Sequence, residues 1–340
     1  MFSASAIVAL CGLSAPAAPA KGPDARSSKA SHAKAGPSNG IKTPGVQIPF
    51  GNIKPAIEIP VAGKPAWIYA SNSAFVPQEN GLSSIDPKTN VLTAPISGLD
   101  DLCAGMVSAF GSLWTPSCKD GSLVRLNSKD MKVSARLPIG AAKVAGGITA
   151  SADSIWLLTD GKTTLSRIDP DRNVIVAEMR LPAGCRGLTF GEDALWIACP
   201  SENQVFRINP ATNLVEKRID VSAEPEAVAV GEKSVWVYCR KDGKVERIDP
   251  KTNKVSKTVN LETPGAEGAI AAGEGSIWVT LTGFPLTRID PVAESVAQQF
   301  YGEGGGGVIA TGAGALWLAD SGKGVVQRID PKLVSLTLAE

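Results

Sequence analysis

Histidine is almost absent from this chain: His32 is the single copy in 340 residues, and it lies close to the N-terminus. Everything after it lacks an imidazole, which excludes a histidine general base and histidine-based metal sites from the body of the protein. Aromatic residues make up 5% of the chain and the formal net charge is +1, so the basic, aromatic-studded face of a nucleic-acid binder is not expected. Long apolar runs are also missing. The stretch from Met1 to Pro16 is short and followed by helix breakers, so it is not expected to cross a membrane. Carboxylates are numerous but scattered, and no spacing among them marks a metal site, a cofactor cradle or a catalytic group.

What the chain has is a repeat. Phe75, Trp114, Trp156, Trp196, Trp236, Trp278 and Trp317 recur about forty residues apart, and Asp86, Asn127, Asp169, Asn209, Asp249, Asp290 and Asp330 keep the same period. Between them lie short alternating runs. In the fifth copy Ala227 to Val230, the residues around Trp236, Val245 to Ile248 and Val255 to Leu261 read as four successive strands. Asp249-Pro250-Lys251-Thr252-Asn253 joins the last two: proline sets φ, the aspartate accepts backbone N–H groups, and asparagine tolerates the left-handed position. The same turn chemistry recurs at Asp86-Pro87-Lys88-Thr89-Asn90 and Asn209-Pro210-Ala211-Thr212-Asn213. The expected fold is all-β: a seven-bladed β-propeller of four-stranded antiparallel blades over residues 51–340.

Two segments precede it. Residues 1–20 read as a signal peptide, apolar and ending in Ala18-Pro19-Ala20, although no Lys or Arg precedes the apolar run. Residues 21–50 read as a disordered basic linker, with Lys21, Arg26, Lys29, Lys34 and Lys42 against Asp24 and almost nothing to bury. A periplasmic or secreted location follows. Two stretches compete to complete blade 7, Ile53 to Val61 and Leu333 to Leu338; one should supply its outermost strand and close the ring.

The Trp-Val, Arg-Ile-Asp-Pro and Thr-Asn elements resemble the seven-bladed propellers of the YVTN-repeat and virginiamycin B (streptogramin) lyase-like superfamily, across nearly all of residues 51–340. For its lyase branch the resemblance implies a metal-assisted ring-opening elimination, with a histidine base and glutamates near the mouth of the central channel. The chain departs from that pattern because no blade contains a histidine. A noncatalytic, monomeric binding or interaction propeller without a cofactor is therefore the expected function, with a small polar ligand, peptide or protein at one rim of the channel. The alternative is a lyase-like enzyme using rim carboxylates.

A residue repeated in every blade is scaffold, and a site must break the symmetry. Arg125, Arg167, Arg207, Arg247, Arg288 and Arg328 recur at one position and are expected to form an inter-blade ladder with carboxylates. Nine and seven residues before each anchor the inner strands carry only small or uncharged residues, as crowding around the axis requires. Asymmetry collects at one rim, where Trp67, Tyr69, Asp100, Asp101, Arg186, Glu226, Arg240 and Glu267 are the candidate ligand-binding residues. Glu224 and Glu303 share that rim, and Gly304 to Gly307 reads as a flexible loop. The cysteines give a sharper expectation: if Trp196 faces Leu188, Cys199 lies opposite Cys185 and the two form a cross-strand disulfide. Cys103 and Cys118 are one residue out of register and would need a bulge to pair, and Cys239 faces Pro225 and stays free.

Overall fold

The computed structural model describes residues 39–54, 56–144, 146–160 and 163–339. The expected signal peptide, with Cys11, and the expected linker up to residue 38 lie outside them. The rest is a ring of seven blades, each an antiparallel sheet whose first strand lines the centre. Blade 5 is representative, with strands Pro225–Gly231, Ser234–Cys239, Lys244–Asp249 and Lys254–Asn260 in order from the axis outward. Blade 1 departs from the expected four strands. Its sheet has three, Tyr69–Ala70, Ala74–Gln78 and Gly81–Ile85, and only isolated bridges to Leu92 and Ile96 stand in for the fourth, on either side of Pro95.

The repeated residues do the jobs their chemistry suggests. The six anchor tryptophans are buried, and each indole N–H is satisfied five residues upstream, by a backbone oxygen in five blades and by Ser151 Oγ for Trp156. In the turns, Asp249 Oδ1 accepts from Lys251 N and Thr252 N, and Asn253 takes φ 57°. Those N–H bonds hold the Asp249 carboxyl below its ordinary range. Seven apolar clusters, one at each junction between neighbouring blades, form the core. The ladder arginines stack on the anchor tryptophans at 4.6–5.8 Å in five blades. Their partners correct the expectation of carboxylates alone. Arg125 reaches Asn173 and Arg167 reaches Asn213, the left-handed turn asparagines of the next blade, whereas Arg247 crosses to Glu294.

The N-terminal side closes the ring. Ile57–Pro60 pairs antiparallel with Val325–Ile329 as the outermost strand of blade 7. The C-terminal stretch is not a strand: Pro331–Leu336 is a short helix. Asp330 caps it by accepting from Lys332 N and Pro331 occupies its first turn. In the other turns the fourth residue after the Asp or Asn takes a left-handed conformation, as Asn90, Asn173, Asn213 and Asn253 in blades 1, 3, 4 and 5 and as Met131 and Glu294 in blades 2 and 6, whereas Val334 continues the helix. A second correction concerns the linker. Over residues 39–50 the chain is ordered on the propeller, and Gln47–Pro49 adds a fifth, parallel strand to blade 6. The buried Gln299 holds it there, accepting from Ile41 N and donating to Leu261 O.

Both expected disulfides are present, and the route to one of them differs. Trp196 faces Thr189 rather than Leu188, but a bulge restores the register so that Arg186 faces Ala198. Cys185 and Cys199 then pair with Cα atoms 4.1 Å apart. Gly187 makes the bulge possible: it takes φ +66°, and a Cβ there would lie 3.1 Å from Val228 N. Cys103 bridges Cys118 where Ala104 and Gly105 adopt positive φ. Cys239 faces Pro225, is free and is fully buried, and burial pushes its thiol pKa far up. A thiol reagent is therefore expected to find nothing in the native propeller and one thiol after unfolding without reductant, apart from any retained Cys11. Five thiols from the propeller would contradict both bridges.

Candidate functional site

Ten residues before the anchor, where each inner strand begins at the channel mouth, blades 2, 3 and 7 carry Ala104, Gly146 and Gly307, whereas blades 4 and 5 carry Arg186 and Glu226. Blade 6 has no bulge in its inner hairpin; its charged residue, Glu267, lies eleven residues ahead of Trp278 and matches Glu224, its carbonyl accepting from Thr282 N as that of Glu224 accepts from Arg240 N. Three adjacent blades thus present charge on one arc of the mouth, whereas blades 2, 3 and 7 present small residues.

The charges are coupled. Glu226 Oε1 lies 3.8 Å from Arg186 Nη1 and its Oε2 3.8 Å from Arg240 Nε, while Arg240 Nη2 donates to Glu224 Oε2 at 2.9 Å. Neither guanidinium comes within hydrogen-bond distance of Glu226, and its Oε2 is a buried atom with no hydrogen-bond partner. Burial pushes the Glu226 carboxyl above its ordinary range, against the pull of Arg240 and Arg186. A cavity of about 280 Å³ opens here, lined by Arg186, Ser201, Glu224, Glu226 and Arg240 together with two prolines.

Local structure fixes these groups. Arg240 N donates to Glu224 O, and its carbonyl accepts from Gly243 N and Gly265 N. Glu224 takes φ 55°, a left-handed conformation secured by its N–H donating to Asn203 Oδ1. The loop before it hangs on Glu246, a carboxylate only 5% exposed that accepts from Ser222 N and Ser222 Oγ. Glu246 was not legible as part of the rim, because its place in the third strand of blade 5 reads as an ordinary alternating position.

The structure brings together Arg186, Glu226, Arg240 and Glu267, but not the four blade 1 and 2 candidates. Trp67 is buried between blades 1 and 2 and donates Nε1–H to Leu102 O. Tyr69 accepts from Ser108 N through its hydroxyl. It faces Phe75 six residues ahead instead of seven, because the blade 1 hairpin is one residue tighter. Asp100 and Asp101 pair with Lys119 and Lys143 at exposed positions. None of the four makes a hydrogen bond or ion pair to the charged arc. Among the described residues no group of three or more His, Cys, Asp or Glu side chains is placed to hold a metal ion.

The glycine run is packed rather than loose. Gly304, Gly305 and Gly306 take φ between 70° and 90°, and Gly283 N donates to Gly304 O. A Cβ on Gly306 would lie 2.8 Å from Thr282 Oγ1, and one on Gly307 2.6 Å from Ala319 O. These residues form the floor of a second cavity between blades 6 and 7, into which Phe50 projects from the N-terminal segment.

No protein-family model matches the chain, and no curated protein sequence matches it significantly. Solved structures do. A streptogramin B lyase superposes with a TM-score of 0.68 at 23% identity, covering 81% of this chain and 97% of that one. The virginiamycin B lyase of Staphylococcus aureus gives 0.68 at 20% identity, with 81% and 98% covered. A catalytically inactive histidine-to-alanine variant of that enzyme, solved with quinupristin, gives 0.67 at 18%, with 81% and 98% covered. The BamB protein of Moraxella catarrhalis (0.57, 14%, 80% and 85%) and a chain of a mitotic checkpoint complex (0.70, 12%, 82% and 95%) are similar too. At these identities the likeness defines architecture alone, and the chain is a seven-bladed β-propeller.

Proposed function

We propose that this protein is an exported, noncatalytic, monomeric binding propeller whose ligand, a small polar molecule or a peptide, seats on the channel mouth at Arg186, Glu226, Arg240 and Glu267. The observation that carries the reading is Glu226: a carboxylate oxygen buried without a hydrogen bond, between two guanidinium groups. An incoming donor would satisfy it, and the two arginines would take the acceptors of the same ligand. Export is supported by the two disulfides, which persist in oxidising compartments. The absence of catalysis is supported by chemistry. The S. aureus lyase is inactive once one histidine is replaced by alanine, and this propeller has no histidine in any blade. The likeness to BamB and to a checkpoint-complex chain is in keeping with a binding role.

Incubation with quinupristin, followed by mass spectrometry and chromatography, is expected to return the antibiotic unopened. Screening small polar metabolites and short peptides by thermal shift should find ligands whose stabilisation disappears in Arg186→Ala/Arg240→Ala. Ring opening of quinupristin that is lost in Glu267→Ala would overturn the reading in favour of a lyase working through rim carboxylates.

A further inference from the structure

The charged groups at the mouth do not close on one another. Hydrogen bonds between guanidinium and carboxylate measure about 2.7–2.9 Å, yet both guanidiniums stay 3.8 Å from Glu226. Each is tethered elsewhere: Arg186 Nε donates to Gly184 O at 3.3 Å, and Arg240 Nη2 donates to Glu224 Oε2 at 2.9 Å. Hydrogen-bonding capacity of both signs is therefore left over around one cavity. Among the described residues, the two terminal nitrogens of Arg186 and Nη1 of Arg240 donate to nothing, and neither oxygen of Glu226 accepts a hydrogen bond. Glu224 and Glu267 lie close enough to Glu226 for their charges to act on it. The cavity, about 280 Å³, falls below the roughly 300–1,000 Å³ that drug-sized ligands occupy.

We infer that the mouth takes a free α-amino acid as its zwitterion. The ligand carboxylate accepts from Arg186 and Arg240, and its ammonium donates to Glu226. Because both guanidiniums are already held in place, little ordering is left for binding to impose. Spacing selects the α class. The donors and the acceptor to be met are neighbours 3.8 Å apart, and one carbon separates ammonium from carboxylate in an α-amino acid. In a β- or γ-amino acid the longer separation carries one charge past its partner. Other ligand classes fit poorly. A simple anion faces Glu224, Glu226 and Glu267, a simple cation faces two guanidiniums, and an uncharged ligand gives neither sign its counter-charge. A peptide offers one charge at each end, so either terminus meets half of the site. The assignment rests on the mouth being the binding site and names the class of ligand it takes.

Titration calorimetry with the common L-amino acids tests this, followed by the β-homologue and the N-acetyl and carboxamide derivatives of the tightest binder. An amino acid is expected to bind, and its β-homologue and both blocked forms to bind at least about tenfold more weakly, as loss of a charged hydrogen-bond partner dictates. Two variants should exchange the preference. Glu226→Gln should weaken the amino acid about tenfold and tighten its N-acetyl form, which no longer faces that carboxylate. Arg186→Met should weaken the amino acid and tighten the carboxamide. Gains of this kind cannot come from misfolding. Failure of every amino acid to bind, equal binding of the β-homologue or of either blocked form, or no exchange in the two variants overturns the assignment; equal binding of the N-acetyl form would make the ligand a peptide C-terminus instead. If no amino acid binds while a ligand from the metabolite and peptide screen still depends on Arg186 and Arg240, the amino-acid assignment falls alone. If no ligand of any kind depends on these arginines, the mouth reading falls with it.

Discussion

Deletion of residues 51–61 is expected to remove most of the folding stability of the propeller. The segment supplies the outermost strand of blade 7 and buries three aliphatic side chains. Ile59 and Val61 lie in the cluster between blades 7 and 1, and Ile53 in the one between blades 6 and 7. Each such side chain contributes roughly 1.5–3 kcal/mol when buried, so the three together account for roughly 5–9 kcal/mol. A folded domain of ordinary stability has only about 5–15 kcal/mol in total. The loss is compounded because Val325–Ile329 would become an unpaired edge, open to strands from other molecules. Urea unfolding should show a collapsed midpoint, and sedimentation should show self-association. Removal of residues 331–339 provides the comparison. That segment buries Val334 from its helix and packs Ala339, beyond the helix, against the cluster between blades 6 and 7, so a smaller shift with a preserved cooperative transition is expected. An unchanged midpoint for the 51–61 deletion, or equal losses for the two truncations, would contradict closure by the N-terminal strand.

The ring was legible because two markers with separate physical tasks keep one period. Trp236 packs between blades from the second strand, and Asp249 organises the turn after the third, so agreement between them is hard to reach by chance. Closure was not legible. Leu333, Val334 and Leu336 fit an alternating strand as well as one turn of helix, and the outcome depended on Asp330 and Pro331 acting as a helix start that no left-handed residue interrupts. The fifth strand of blade 6 is held through backbone pairing, Gln299 and the one fully buried side chain of Ile48, and a single apolar residue in three gives no alternating pattern to read. Phe50 was consequently assigned to a linker. At the mouth, Arg186, Glu226 and Glu267 could be found because each is a charge near the start of an inner strand, where blades 2, 3 and 7 carry small residues. Trp67 and Tyr69 were misplaced for the converse reason: the shorter blade 1 hairpin shifts its register, and an aromatic that looks singular in sequence fills the space between two blades.

Replacing Cys185 and Cys199 together by alanine is expected to lower stability by roughly 3 kcal/mol, the chain-entropy value for closing a loop of about fifteen residues. The bridge spans a sequence separation of 14, and both cysteines are fully buried in the cluster between blades 3 and 4. The Cys103–Cys118 bridge has nearly the same separation, 15, so its removal should shift the urea midpoint by a similar amount. The two pairs separate in their effect on the mouth. Arg186 follows Cys185 directly and begins the inner strand just before the bulge that Gly187 allows, so the bridge holds that strand in the register that places the guanidinium 3.8 Å from Glu226. Without it, blade 4 can slip by the one residue the bulge absorbs, carrying Arg186 off the arc. Any ligand that depends on Arg186 should therefore bind more weakly in the Cys185/Cys199 variant and normally in the Cys103/Cys118 variant, measured under conditions where both remain folded. Equal affinities in the two would mean that strand register at the mouth is set by Gly187 and the neighbouring backbone of blade 5, and that the disulfide acts on stability alone.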